Sequence, residues 1–506
     1  VIGTPALDQL PEQQLNELLR RADWRFLLRV TEAPWIADMT SGRDSRAIEL
    51  IAAGGEPPAG EADVAAVGFP SRLALRSALD AVHPGGEVVC LWRLPRPLGA
   101  RRAASRLRRA GLTDVRVFWP GPVPQSAPQF WLSLNSPEAS DHLLEQRPAT
   151  SALQRVLRPL WRVSKRAGLL APLCAIGRVP AEQDETVEDP IETAFPASAG
   201  QLLLTGGHRS INKVVGLPFA SGAGAPEAVV KFARVTAADE ALEREATTLR
   251  LLERDHPAAT RVPRLLAAGR RAGRYAIAES GIHGKPLIAA LSAANHEALA
   301  KQVGDWLVDL AGAESRPRGE WWPRLVGQPL EQFERDFGAV AEADSLAKLR
   351  EQLEQIGDLP QACEHRDCSP WNVVLDQSDA PGLLDWESAE PHGLPGLDLA
   401  YFLANCAFVL DDALESGGTR ESYAALLDPS TPQGAVSARC AERYCDDIGI
   451  SIEDYARLRL LCWVVHSASD HRHLSMAAAG PPSPEALRGS SFLGLLEVEL
   501  GRLGTS

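Results

Sequence analysis

The chain reads as two folded regions of different class. An N-terminal α/β region is built on a mostly parallel, helix-covered sheet, and a longer α+β region places a strand-rich lobe before a helical one. Three observations carry this. Over residues 62–134 short apolar strands alternate with helical periodicity. Over 202–280 strand-like runs surround a single helix, and beyond 286 apolar residues recur at spacings of three and four. Proline and acid replace that periodicity in Pro180–Pro196, PAEQDETVEDPIETAFP, which marks the seam. The expected division is 1–180, a linker at 181–197, a strand-rich lobe at 198–285 and a helical lobe at 286–506.

In the first region ADVAAVG (62–68) is an apolar strand, 71–82 a helix, and GGEVVCLW (85–92) a second strand entered through the Pro84-Gly85-Gly86 turn. A helix over 100–110 leads to strands at 115–119 and 129–134, and an earlier strand falls at Leu27–Val30 or Trp35–Ile36. The stretch 151–170 is basic and amphipathic. Because Pro159 would disturb a long membrane-surface helix, packing between domains is the expectation there. In the second region strands are expected at 202–206, 213–219, 227–233 and 275–280, around a helix at 237–253. Helical patterns then cover 286–312, 328–357 and 396–414.

The 506 residues, 45% hydrophobic and 23% charged, suit a globular chain with more than one core and exclude wholesale disorder. Lys and Arg number 52 against 66 Asp and Glu, a formal −14 that argues against nucleic acid as a general partner. The eight cysteines form no CxxC pair and meet no histidine at zinc-finger spacing, so they read as free thiols. With an amphipathic, charge-bearing stretch over Val1–Leu28 in place of a signal-peptide apolar run, the expected setting is the cytoplasm. No run approaches the ~18 apolar residues of a transmembrane segment.

The residues that carry chemistry are His365-Arg366-Asp367-Cys368-Ser369-Pro370-Trp371-Asn372, followed by Asp385-Trp386-Glu387. Phosphoryl transfer from a nucleotide needs a carboxylate at the acceptor hydroxyl and oxygen ligands for a metal ion on the phosphates. Asp367 supplies the first, Asn372 and Asp385 the second. The strand-like VVL (373–375) and GLLD (382–385) turn back on each other and would bring Asn372 and Asp385 together. Upstream, Lys231 ends the EAVV strand, and Glu245, with Glu240 and Glu243 as competitors, lies on the following helix. Gly206-Gly207-His208-Arg209-Ser210-Ile211-Asn212-Lys213 is a glycine turn between two strands, where backbone N–H groups, Ser210 and Asn212 could approach phosphate.

These strings resemble the protein-kinase-like fold in its aminoglycoside phosphotransferase and choline kinase branch. HRDCSPWN, LLDWESAEPHGLPGLDLA and Asp398 match that family's H-G-D-x-x-x-x-N, D-W/F-E and later D-L in order and spacing. The resemblance implies ATP (or GTP) and Mg²⁺ as cofactors, Asp367 as the base, and Asn372 and Asp385 as metal ligands. It also implies a Lys231–Glu245 pair on the α/β-phosphates, with His365 and Asp398 in support of the loop. AESGIHGKPL (278–287), which contains Glu279, resembles the linker whose backbone meets adenine. Twelve residues separate Asp385 from Asp398, leaving no room for a phosphorylated activation segment, so the expected acceptor is a small-molecule hydroxyl, of saccharide or amino-sugar type. A peptide Ser or Thr, or a non-catalytic ATP-binding scaffold, stays open as an alternative. Asp411, Asp412, Glu415, Glu421 and 442–447 could greet a cation, and Trp322, Trp371, Trp386 and Trp463 could stack on a sugar.

Residues 61–134 resemble the later half of a class I AdoMet-dependent methyltransferase, a Rossmann-like fold. The glycine-rich first turn and the acidic residue after the second strand that its nucleoside pocket needs are not evident. The expectation is a truncated domain without methyl transfer that could engage a protein partner.

Overall fold

Eleven strands pair into one mixed sheet that passes from the N-terminal region into the strand-rich lobe. The computed structural model describes residues 10–53, 60–92, 99–121, 127–145, 172–181, 189–207, 209–256, 261–478 and 480–502. The basic stretch at 151–170 and His208 lie outside the described residues. The chain divides into two compact units, Val1–Ala246 with Leu265–Gly281, and Thr247–Arg264 with Ile282–Ser506.

The first unit holds β1 (Ile36–Met39), β2 (Ala62–Val67), β3 (Val82–Trp92), β4 (Thr113–Gly121), β5 (Phe130–Ser133) and β6 (Leu173–Arg178). It continues with β7 (Gly200–Leu204), β8 (Val214–Phe219), β9 (Val229–Phe232), β10 (Leu265–Arg271) and β11 (Arg274–Glu279). Their order across the sheet is β1-β2-β3-β6-β4-β5-β7-β8-β9-β11-β10. Among the described residues only β1–β2 and β2–β3 are parallel, so the expectation of a mostly parallel sheet is corrected to a mixed one. The cause is β6. β3 and β4 are joined through the helix Gly99–Arg109 and run the same way, one strand apart. β6 fills that gap antiparallel to both, with Val89 opposite Ile176 and Val117 opposite Ala175.

Alternation along the strands sends side chains to two cores. Ala65, Val67, Val88, Cys90, Val117 and Leu132 pack on one face under Leu75, Ala103, Leu107 and Leu143 of the covering helices. Val64, Ala66, Phe118, Trp131, Leu203, Val230, Phe232 and Ala278 line the other, under Leu18, Leu19, Trp24, Phe26 and Ile191. This second core extends from Ile36 of β1 to Ala276 and Ala278 of β11. Its cover comes from the helix Glu12–Ala22, the turn Asp23–Leu27 and the short helix Pro190–Ala194.

The described part of the 181–197 segment is folded. Asp189 caps the helix Pro190–Ala194 by accepting from the Ile191 N–H at 2.9 Å, and the buried Arg271 on β10 reaches Asp189 (3.2 Å) and Glu192 (3.1 Å). Trp131 of β5 lies opposite Leu203 of β7, so the sheet crosses this segment without a break.

The second unit is largely helical and carries two three-stranded sheets, β12 (Lys285–Pro286), β15 (Val373–Leu375) and β16 (Pro381–Leu383), and β13 (Ala311–Arg316), β14 (Leu359–Glu364) and β17 (Glu390–Gly393). The hairpin read from VVL and GLLD forms as β15 against β16, with Val373 opposite Leu383. The helical pattern at 286–312 becomes a short 3-10 turn at Leu287–Ala289 and an α-helix over His296–Val308 before the chain turns into β13. All eight cysteines are buried and none is in a disulfide. Among the described residues no helix is long and apolar enough to cross a membrane.

Candidate active site

β14 ends at Glu364 and delivers His365 into a loop that closes at Asn372, where β15 begins. The loop is anchored from below by Asp398, in the first turn of the helix Leu397–Leu410. Its carboxylate accepts from the backbone N–H of His365 (2.6 Å) and of Arg366 (2.8 Å). The helix starts from Gly396, at φ +87°, where a Cβ would stand 3.0 Å from the Tyr455 ring. Burial, with Glu364 close by, pushes the Asp398 carboxyl up to about 7, against the two N–H groups that favour its ionised form.

His365 is fully buried. Its Nε2 lies 2.7 Å from the Leu384 carbonyl, which makes it the protonated nitrogen, and Nδ1 accepts from the Asp367 N–H at 3.2 Å. The ring meets Trp386 edge-on, with centroids 4.7 Å apart. The Asn372 side-chain amide donates to Asp367 Oδ2 and to the Asp367 carbonyl, both at 2.9 Å, and the Asn372 carbonyl accepts from the Leu384 N–H at 2.9 Å. Asp367, Asn372 and the chain entering Asp385 are therefore fixed to one another. Arg366 (φ 61°) and Asp385 (φ 64°) both take the left-handed backbone region, a strain of roughly 1–3 kcal/mol each that such neighbours must impose. The Arg366 guanidinium turns back to Glu364, with Nε donating at 2.7 Å, which leaves it a brace of the loop.

In the first unit Lys231 lies on β9 between Val215 and Ile277 of the flanking strands. Its ammonium is buried and stands 2.6 Å from Glu245 Oε1 and 2.8 Å from Glu279 Oε1. Glu245 reaches it because Leu242 and Ala246 of the helix Asp239–Asp255 pack on Ala233 and Ile277, whereas Glu240 and Glu243 are exposed. The sequence placed Glu279 on the linker and among the nucleotide-binding residues, with no link to the Lys231 ammonium. The register shows why its carboxylate arrives: Ile277 is opposite Lys231, and Glu279 is two residues on, on the same face.

The β7–β8 turn holds Gly206, Gly207, Ser210 and Asn212. Gly207 (φ +100°) must be glycine, since a Cβ would stand 2.9 Å from the Asn212 side chain. Asn212 Oδ1 accepts from the Arg209 N–H at 2.9 Å. The Ser210 hydroxyl donates to Glu12 Oε2 at 2.9 Å, its N–H donates to the other Glu12 oxygen, and the Asn16 amide donates to the Gly207 carbonyl at 3.2 Å. Ser210 and Asn212 are thus engaged within the protein, and Gly206 stands in open space. Arg234, fully buried, donates to the Thr205 carbonyl (2.9 Å) and pairs with the fully buried Asp23 (3.1 Å). Glu12, Asn16, Asp23 and Arg234 carry no local motif, and nothing in the sequence pointed to them.

Among the described residues no group of three or more His, Cys, Asp or Glu is placed to hold a metal ion. Asn372 and Asp385 each carry a side-chain oxygen of the hard type that suits Mg²⁺. Of the expected stacking residues, Trp386 and Trp463 are fully buried core, Trp322 lies under Arg318 at 3.7 Å, and Trp371 is 43% exposed. In the acidic stretch, Asp411 accepts from Ser422 and Gln433, both at 2.6 Å.

Residues 219–461, a little under half of the chain, match the family model described as the phosphotransferase enzyme family. The match supports phosphotransferase chemistry and a kinase-like fold for that part of the chain. Among solved structures, the aminoglycoside phosphotransferase APH(3'')-Id from Streptomyces rimosus is 20% identical, with a TM-score of 0.33 over 50% of this chain and 89% of that one. A thermostable mutant of the aminoglycoside phosphotransferase APH(4)-Ia is 15% identical, with a TM-score of 0.39 over 63% of this chain and 100% of that one. No curated protein matches the chain.

Proposed function

We propose that the chain is an ATP- and Mg²⁺-dependent phosphotransferase, with GTP as the alternative donor, acting on a hydroxyl of a small molecule of saccharide or amino-sugar class. The observation that carries this reading is the Asp367 carboxylate held by the Asn372 amide on a loop braced by Asp398 and His365. Asp367 takes the proton of the acceptor hydroxyl as its oxygen bonds to the γ-phosphorus. The bond from that phosphorus to the β,γ-bridging oxygen breaks, and the nucleoside diphosphate leaves with the electron pair. Mg²⁺, held by Asn372 and Asp385, would offset charge on the phosphates. Lys231, paired with Glu245 and Glu279, would hold the α- and β-phosphates, with the Gly206-Gly207 turn covering them. Asp367→Asn is expected to lower kcat by about 10²–10⁴ while leaving the affinity for ATP within about two-fold. Isotope transfer and calorimetry on the same sample check it, and undiminished turnover would remove Asp367 from the role of base.

For residues 1–180 we retain a Rossmann-like, methyltransferase-like domain without methyl transfer, open to a protein partner. Support comes from the parallel trio β1–β2–β3 and from Asp38, after which the chain turns with its carboxylate engaged by Thr40 and Ser45. The unbridged cysteines support a cytoplasmic setting.

A further inference from the structure

The glycine turn between β7 and β8 is held from behind. Leu204 lies opposite Val215, and Val215 opposite Lys231, so these three side chains share one face of the sheet. Leu203, Val214, Val230 and Phe232 alternate to the other face, where they pack in one core with Leu18 and Leu19 of the helix Glu12–Ala22. The helix and the Lys231 side chain therefore lie on opposite faces of the same strands. Glu12 and Asn16, one helical turn apart, reach the turn. The Glu12 carboxylate accepts from both donors of Ser210, the hydroxyl at 2.9 Å and the backbone N–H. Asn16, buried, donates to the Gly207 carbonyl and accepts from Arg234, both at 3.2 Å. Arg234 in turn donates to the Thr205 carbonyl at 2.9 Å and rests on Asp23.

Across a trans peptide the carbonyl and the following N–H point in opposite directions. With the Thr205 carbonyl drawn to Arg234, the Gly206 N–H is turned away from that cluster, and among the described residues a Cβ at Gly206 would meet nothing within 4 Å. Two adjacent glycines have many backbone states to lose when they close on an anion. Here the Thr205 and Gly207 carbonyls and both donors of Ser210 are already tied to one helix and to the Arg234 that it supports. A turn fixed before its ligand arrives spares the ligand that ordering cost, which raises affinity without a new contact. Glu12 and Asn16 bond to the turn's own groups from the face away from Lys231, so what they supply is position.

We propose that Glu12 and Asn16 are positioning residues for nucleotide binding, which makes the N-terminal helix a working part of the phosphate-covering turn. The proposal rests on the phosphotransferase reading and adds residues far outside its motifs. Calorimetry of the full chain with ATP, and with adenosine, which lacks the phosphates, tests it alongside melting temperature and transfer of labelled phosphate from ATP to a panel of sugars and amino-sugars. Glu12→Ala should weaken ATP binding and raise the KM for ATP about ten-fold, with kcat changed by less than about two-fold and adenosine affinity and melting temperature unmoved. Asn16→Ala should act in the same sense. Glu12→Gln, whose amide still accepts from the Ser210 N–H and donates to its hydroxyl, should return ATP affinity to within about three-fold of the unaltered chain. Ser210→Ala, which keeps the N–H bond alone, should fall between the two Glu12 variants and decides the matter if Glu12→Ala does not fold. ATP affinity unmoved by Glu12→Ala overturns the proposal, and tighter binding overturns it by marking the carboxylate as a competitor of phosphate. ATP and adenosine weakened together, or equal affinity of the unaltered chain for the two, overturns it as well. Glu12-dependent ATP binding without phosphate transfer would uphold the positioning role and remove the phosphotransferase reading. Transfer with ATP affinity indifferent to Glu12 would do the reverse.

Discussion

Asp398 shows how one side chain links the protonation state of the site to its geometry. Its carboxyl moves from an ordinary value of 3.8 up to about 7, so between those pH values the folded chain holds a proton that the unfolded chain has released. Its contribution to stability is therefore complete below pH about 4 and lost as pH rises through about 7. Activity has the opposite sign. Protonation removes one acceptor, and either the His365 or the Arg366 N–H then loses its partner. We expect kcat to fall on the acid side with a midpoint near 7, and Asp398→Asn, which keeps a single acceptor, to give a low rate without that limb. A kcat profile from pH 5 to 9 for both proteins checks this; an unchanged limb in the variant would assign it to another group. At this scale the sequence was informative wherever chemistry is packed into one string. His365, Asp367, Asn372 and Asp385 lie within 21 consecutive positions and could be named together. Glu279 joins Lys231 through cross-strand register, and Glu12 joins Ser210 across 198 positions, relations that no local spacing encodes.

Among the elements, β7 shows what the seam at 181–197 does and does not separate. It pairs with β5 on one side and β8 on the other, and its Leu203 shares a core with the N-terminal segment, whose Phe26 stacks on Phe232 of β9 at 4.9 Å. A chain beginning at residue 198 would expose one edge of β7, uncover the apolar face of β9 and leave Arg234 buried without Asp23. Breaking such a buried pair costs about 3–5 kcal/mol. Residues 198–506 expressed alone are therefore expected to be insoluble or to lack a cooperative thermal transition, which soluble yield and calorimetry would measure; a soluble, cooperatively melting fragment would show that the sheet is separable there. Of the large sheet, β2–β5, β7–β9 and β11 were legible because apolar runs bounded by Gly and Pro mark them, whereas β10, rich in Ala and Arg, was not. β6 was not, since a central strand buried on both faces loses the two-residue alternation and its six residues follow a proline-flanked stretch. The seam was also misleading in its chemistry: Asp189 and Glu192 are not solvated linker acids but the partners of Arg271.

For the whole molecule, the Asp23–Arg234 pair has a consequence in time. The two residues are 211 positions apart, and both side chains are fully buried only when together. At about 5–20 residues per second, Asp23 leaves the ribosome roughly 10–40 s before Arg234 does. During that interval the amphipathic helix Glu12–Ala22 has no core to cover, and the first 200 residues wait with an unfinished sheet. Stable structure near the N-terminus is thus set by the arrival of β9, not by its own synthesis. Arrest-peptide force profiles on stalled chains should show the main folding transition only once residues beyond β9 have emerged; a strong transition with fewer than 180 residues exposed would show that the early strands close on themselves. A nascent chain of this protein is expected to keep that apolar helix face uncovered until Arg234 has been made, a little under half of the way through the 506 residues.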